Sequence, residues 1–96
     1  MVFLNIASLP KNIDEIRCSL SKGHIDLIAF NETRLDSTLN DGLMNVTGYD
    51  LIRKDRSRNG GGVCIYLHNT INYKIRNDLV SSNVEAICIE IIKTTK

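Results

Sequence analysis

Two stretches decide the fold: Val2-Phe3-Leu4-Asn5-Ile6-Ala7, and Ile25-Asp26-Leu27-Ile28-Ala29-Phe30 followed directly by Asn31-Glu32-Thr33. Both are apolar at nearly every position rather than at alternate ones, the pattern of a strand covered on both faces. Between them, Ser8-Leu9-Pro10 breaks the first run and predicts a helix start, since proline is tolerated in a first turn. Asn12 followed by Glu15 offers a second cap position a few residues later. Ile13, Ile16 and Leu20 then fall on one helical stripe. Asp14 and Glu15 are expected near the positive end, Lys22 near the negative end, with Gly23 as the stop. Strand, helix and strand within about thirty residues predict a right-handed βαβ unit with parallel strands.

Beyond that unit the pattern changes. Asn31 to Gly48 is polar and rich in turn formers (Asp36, Asn40, Asp41, Gly42), and its length marks a functional loop rather than a plain connector. Tyr49–Arg53 and Val63–Leu67 flank a glycine-containing turn and predict an antiparallel hairpin. Ile71, Tyr73 and Ile75 alternate with polar residues as a half-exposed strand, and Val84–Ile92 reads as one long apolar strand. The total is about six strands and one main helix, an α/β (α+β) chain.

Composition narrows the classes. The 96 residues make one small domain, and 43% hydrophobic with 24% charged residues is ordinary for a globular chain. Lys and Arg number 12 against 11 Asp and Glu, a net charge of +1 that argues against a strongly basic nucleic-acid or membrane binder. Cys18, Cys64 and Cys88 form no C-x-x-C pair, so neither a zinc site nor a disulfide scaffold is expected, only reduced core thiols. The apolar start lacks a basic region and is cut short by Pro10, and no run approaches membrane-spanning length. A soluble chain inside the cell, in nucleus or cytoplasm, is the expectation.

The best site candidate lies where the first two strands end. Parallel strands present ligands beyond their carboxyl ends, which brings Asn5 and Glu32 together as candidate catalytic and metal-binding residues. A lone carboxylate beside an amide suits Mg²⁺, which keeps several waters and takes one or two protein carboxylates. The bland alternative is that Asn5 bonds a neighbouring loop and Glu32 caps one. Arg34, two residues past Glu32, is placed to meet a phosphate. Arg53, Lys54, Arg56 and Arg58 form a local basic cluster that either is solvated or touches nucleic-acid phosphates. Gly60-Gly61-Gly62 precedes a strand rather than a helix, so it reads as a hairpin turn and not as a phosphate loop.

These words, with Leu4-Asn5-Ile6-Ala7-Ser8-Leu9, Phe30-Asn31-Glu32-Thr33-Arg34, Gly48-Tyr49 and Arg53–Arg56 with Gly60–Val63 in order, resemble the endonuclease/exonuclease/phosphatase superfamily. More closely, they resemble the apurinic-type endonuclease domain of non-LTR (LINE-like) retrotransposons, which precedes a reverse transcriptase. The resemblance spans residues 1–96 and implies the N-terminal half of a deoxyribonuclease-I-like four-layer α/β sandwich. It implies hydrolysis of DNA phosphodiesters with Mg²⁺ or Mn²⁺ on Glu32, and with Asn5 at the metal or the scissile phosphate. The family's phosphate-binding Tyr, Asp-x-Asn and Ser-Asp-His words lie farther along the domain than Lys96. No Ser-Asp-His word occurs here, and His24 and His68 match no catalytic histidine. A half-domain of this kind is expected to be inactive alone and to expose an apolar sheet face through which it self-associates. The alternative is a non-catalytic remnant that binds nucleic acid weakly or associates with a protein.

Overall fold

The helix stripe has one more member than its spacing announced. In the computed structural model, which describes residues 2–22, 25–36, 38–56, 60–76, 78 and 86–92, α1 runs Leu9–Leu20 and buries Leu9, Ile13, Ile16 and Leu20. Ser8 is the extended residue ahead of the helix, and its side chain makes no capping bond. Pro10 sits in the first turn, where its missing N–H costs nothing. Starting the helix this early moves Asp14 and Glu15 past the first turn. Asn12 is not a cap either: its amide donates to Ile6 O (3.2 Å) and Ser8 O (2.8 Å), cinching the strand-to-helix bend. Gly23 and His24 lie outside the described residues. The cation of the last turn is Arg17, which donates to Leu43 O and Asn45 O, both at 2.9 Å.

Strands β1 (Val2–Asn5) and β2 (Leu27–Asn31) pair in parallel, as the βαβ pattern requires. A four-residue helix, α2 (Asp41–Met44), capped by Asn40, interrupts the long loop. β3 (Tyr49–Lys54) and β4 (Val63–His68) form the expected antiparallel hairpin. The hairpin does not simply follow β2 across the sheet. The order is β1-β2-β4-β3, so β4 sits between β2 and β3 and pairs antiparallel with both.

Register sorts the two faces. Ile28, Phe30, Cys64, Tyr66 and Leu51 share the face that packs on α1, with Leu35, Met44 and Val46 closing the loop side. Phe30 and Tyr66 meet edge to face at 6.2 Å, and the Tyr66 hydroxyl donates to Met44 O at 2.5 Å. Burial pushes the Cys64 thiol up to about 12, which keeps it protonated and inert. Cys18 departs from the core-thiol expectation and is exposed. It lies two residues from Ile16, about 200° round the helix and so on the outer side.

The C-terminal part is more broken than one long strand. β5 (Tyr73–Ile75) and β6 (Ile89–Ile91) form a separate two-stranded ribbon. Ile71 is held in a turn by its N–H on His68 O rather than joining β5. Residues 86–88 are not a strand but line a cavity against Leu27, Ala29, Val63 and Ile65 on the second face of the main sheet. Val84 and Glu85 lie outside the described residues.

Candidate functional site

One row crosses the whole sheet at a single end. Asn5 pairs with Asn31, Asn31 with Val63, and Val63 with Lys54. Four strands at about 4.8 Å spacing put Asn5 and Lys54 roughly 14 Å apart. This is the carboxyl end of both parallel strands, where the sequence places the site. The backbone continues the row: Ile6 N–H donates to Asn31 O at 3.1 Å, and Leu9 N–H to Thr33 O at 2.8 Å.

The segment beyond β2 has an unusual backbone. Glu32 and Arg34 both have φ of 56°, in the left-handed region that non-glycine residues rarely adopt. Such conformations cost of order 1–3 kcal/mol each and persist where neighbours impose them. Here the neighbours are the glycines. Thr33 N–H donates to Gly62 O (3.3 Å), Arg34 N–H to Gly61 O (2.9 Å), and Gly61 N–H to Glu32 Oε2 (3.4 Å). Gly61 and Gly62 have φ of 77° and 91°, as the turn reading requires. A Cβ at Gly62 would collide with Thr33 Oγ1, and one at Gly61 with the Arg56 guanidinium. The triple glycine is therefore more than a turn. It is a clamp that fixes the peptide carrying Glu32, a role that turn chemistry alone does not signal.

Three polar atoms on this segment are buried without partners among the described residues: Asn31 Oδ1, Thr33 Oγ1 and Arg34 Nε. Buried polar atoms normally find partners, so three within four residues set this segment apart from the rest of the described chain. Among the described residues no group of three or more His, Cys, Asp or Glu could hold a metal ion. The Glu32 carboxylate, half-buried with one weak N–H bond, is of a donor type that fits a hard cation retaining most of its water.

The basic residues divide. Arg53 is an internal strut, not an open cation. Its guanidinium donates to Leu39 O (2.6 Å), Asp36 O (2.8 Å), Asp41 Oδ1 (3.0 Å) and Asp55 Oδ2 (2.6 Å). Asp55 above all raises its pKa. The Arg53-x-Asp55 spacing, two residues apart on extended chain, was the signal for this pairing. Arg56 donates to Gly60 O at 3.3 Å within its own turn. Lys54 closes the row across the sheet, and Arg58 lies outside the described residues. Among the described residues, no hydrogen bond or ion pair engages the Arg34 guanidinium. His68 ends β4 at the far end of the strand from Val63, about 17 Å away at 3.4 Å per residue. Its Nδ1 is taken up by Thr70 and its ring packs on Tyr49, as an edge residue's would.

The fold fits a partial α/β sandwich, similar to that of an AP endonuclease. Among solved structures it is similar to the crystal structure of the AP endonuclease LMAP from Leishmania major, with a TM-score of 0.64 and 22% identity. The match covers 76% of this chain and 26% of that one, so the chain spans about a quarter of that enzyme's length. At this identity the likeness shows the fold alone. The sequence matches no family model and no curated protein. Among the described residues no helix is long and apolar enough to cross a membrane.

Proposed function

We propose that this chain is the N-terminal part of a metal-dependent endonuclease domain, of the kind found in LINE-like retrotransposons, working on DNA in the nucleus or cytoplasm. The observation that carries the reading is Glu32, clamped in a left-handed conformation at the carboxyl end of a parallel strand pair, in a fold similar to an AP endonuclease. Glu32 would hold Mg²⁺ or Mn²⁺, with Asn5, at the end of the neighbouring parallel strand, as the second candidate ligand. The metal, when bound, polarises a phosphate oxygen and stabilises the leaving alkoxide. Arg34, Lys54 and Arg56 line the DNA side, while Arg53 braces the loop beneath.

These 96 residues do not cleave DNA alone. The described histidine is at the wrong end of β4, and removing a general base from a cooperative set costs orders of magnitude. Supercoiled plasmid incubated with the protein and Mg²⁺ is expected to stay intact, with Glu32→Gln indistinguishable. Mn²⁺ binding, read by water-proton relaxation, is expected to weaken in Glu32→Gln. Nicking that vanishes in the mutant would overturn the inactivity, and unchanged Mn²⁺ binding would remove Glu32 as the ligand.

A non-catalytic association module is the second reading, favoured by the ribbon. Register puts Tyr73, Ile75, Ile89 and Ile91 on one face, and Ile75, Ile91 and Ile92 remain 44%, 48% and 47% exposed. Apolar surface next to open strand edges promotes pairing between chains. Sedimentation equilibrium at about 100 µM is expected to show self-association that Ile91→Lys reverses; a monodisperse monomer would exclude it.

A further inference from the structure

We infer that the ribbon pairs edge to edge with a second copy of this chain, the β5 edge of one copy taking the β6 edge of the other. This rests on the ribbon being an association surface, and it adds the partner, the edges and the register. Hydrogen bonding fixes which groups are open. Arg76 N–H donates to Cys88 O at 2.9 Å, and Ile92 N–H to Asn72 O at 2.8 Å. Lys74 lies opposite Glu90 in the same ladder, so the even-numbered residues bond inward and the odd-numbered ones face outward. Tyr73 and Ile75 on β5, and Ile89 and Ile91 on β6, thus turn their N–H and C=O groups to edges that are unpaired among the described residues.

Charge selects the pairing. Lys74 is the middle residue of β5 and Glu90 that of β6, and both are exposed. Used to the full, a β5–β5 pairing sets Lys74 against Lys74, and a β6–β6 pairing sets Glu90 against Glu90. Like charges directly opposite destabilise a strand pair. Charge guards natural strand edges in this way, but the guard fails between edges of opposite sign. Antiparallel β5 on β6 of the second copy, with Tyr73 opposite Ile91 and Ile75 opposite Ile89, uses all four outward residues. It also places Lys74 directly opposite Glu90 of the second copy. Among the described residues the Lys74 ammonium has no hydrogen bond or ion pair. The Glu90 side chain is bridged to Arg76 at 2.7 Å yet 53% exposed, which leaves it room for a second cation. The same pairing joins Ile75 and Ile91, exposed in the single chain, into one continuous apolar face.

The test is sedimentation of the full chain, with circular dichroism as the check on folding. The unaltered chain is expected to self-associate, and Lys74→Glu and Glu90→Lys each to weaken this about tenfold. An equimolar mixture of the two variants should associate as the unaltered chain does, because each supplies the edge charge the other lacks. That recovery cannot arise inside a ribbon, where each variant still holds its like-charged pair. If a single variant fails to fold, the double variant, Lys74→Glu with Glu90→Lys, decides, since it restores the pair inside the ribbon. It should self-associate yet, carrying a fluorescent label, stay out of assemblies of the unaltered chain. Free mixing of those two, or no recovery in the mixture of single variants, overturns the β5–β6 pairing and leaves the ribbon an association surface. An unaltered chain that stays monomeric overturns both.

Discussion

Replacing Gly62 by alanine is expected to destabilise the chain by about 3–4 kcal/mol. Two costs combine. An alanine at φ 91° takes on of order 1–3 kcal/mol of backbone strain. Its methyl also meets Thr33 Oγ1 in a fully buried spot, and overpacking of this kind costs about 1–3 kcal/mol. A domain of this length holds roughly 5–14 kcal/mol in all, so the loss is a large share. Gly48 provides the control, with φ of 88° and nothing within 4 Å of an added Cβ. Gly48→Ala should carry the backbone cost alone, about half as much. Thr33→Ala should in turn relieve part of the Gly62→Ala penalty. Urea midpoints at constant slope measure all four variants. Equal losses at Gly48 and Gly62 would show that the clamp against Thr33 is not tight.

The second large effect is expected at Arg53. Arg53→Ala should cost about 3 kcal/mol, because it strands the Asp36 and Leu39 carbonyls and the Asp55 carboxylate together. The Arg53 and Asp55 side chains are only 13% and 22% exposed, so water replaces few of these bonds. Asp41, at 69%, contributes little. Arg53→Lys should recover less than half of the loss, since one ammonium cannot reproduce the planar fork. Hydrogen exchange should then accelerate across residues 36–41 before it does in the sheet. A stable Arg53→Lys variant with normal exchange would show that charge alone, not the fork, holds the loop.

Much of the framework was legible because it is periodic. The Ile13, Ile16 and Leu20 stripe, the parallel pair around it and the Tyr49–Lys54/Val63–His68 hairpin all follow from local spacing. What spacing cannot carry is non-local choice. Nothing local in Val63–His68 says that it pairs with β2 as well as with β3. The run up to Ile92 looked like one strand because 86–88 is apolar, yet those residues cover a sheet face instead of joining an edge. The site followed the same division. Asn5 and Glu32 were readable as strand ends, and the register row brings their backbones together. Arg53 looked like an open cation because its partners lie as far off in sequence as Asp36. The Gly60–Gly62 turn hid its grip on Glu32–Arg34 for the same reason.

The position of β4 also sets an order of assembly. Leu27 cannot meet its partner until Leu67 exists, and β3 has no place on the sheet without β4. On a ribosome adding about 5–20 residues per second, the stretch from Asn31 to Leu67 takes roughly 2–7 s to appear. During that interval the β1–α1–β2 unit stands with β2's inner edge bare. The peptide bearing Glu32 waits through most of it as well, because Gly61 and Gly62 emerge only just ahead of β4.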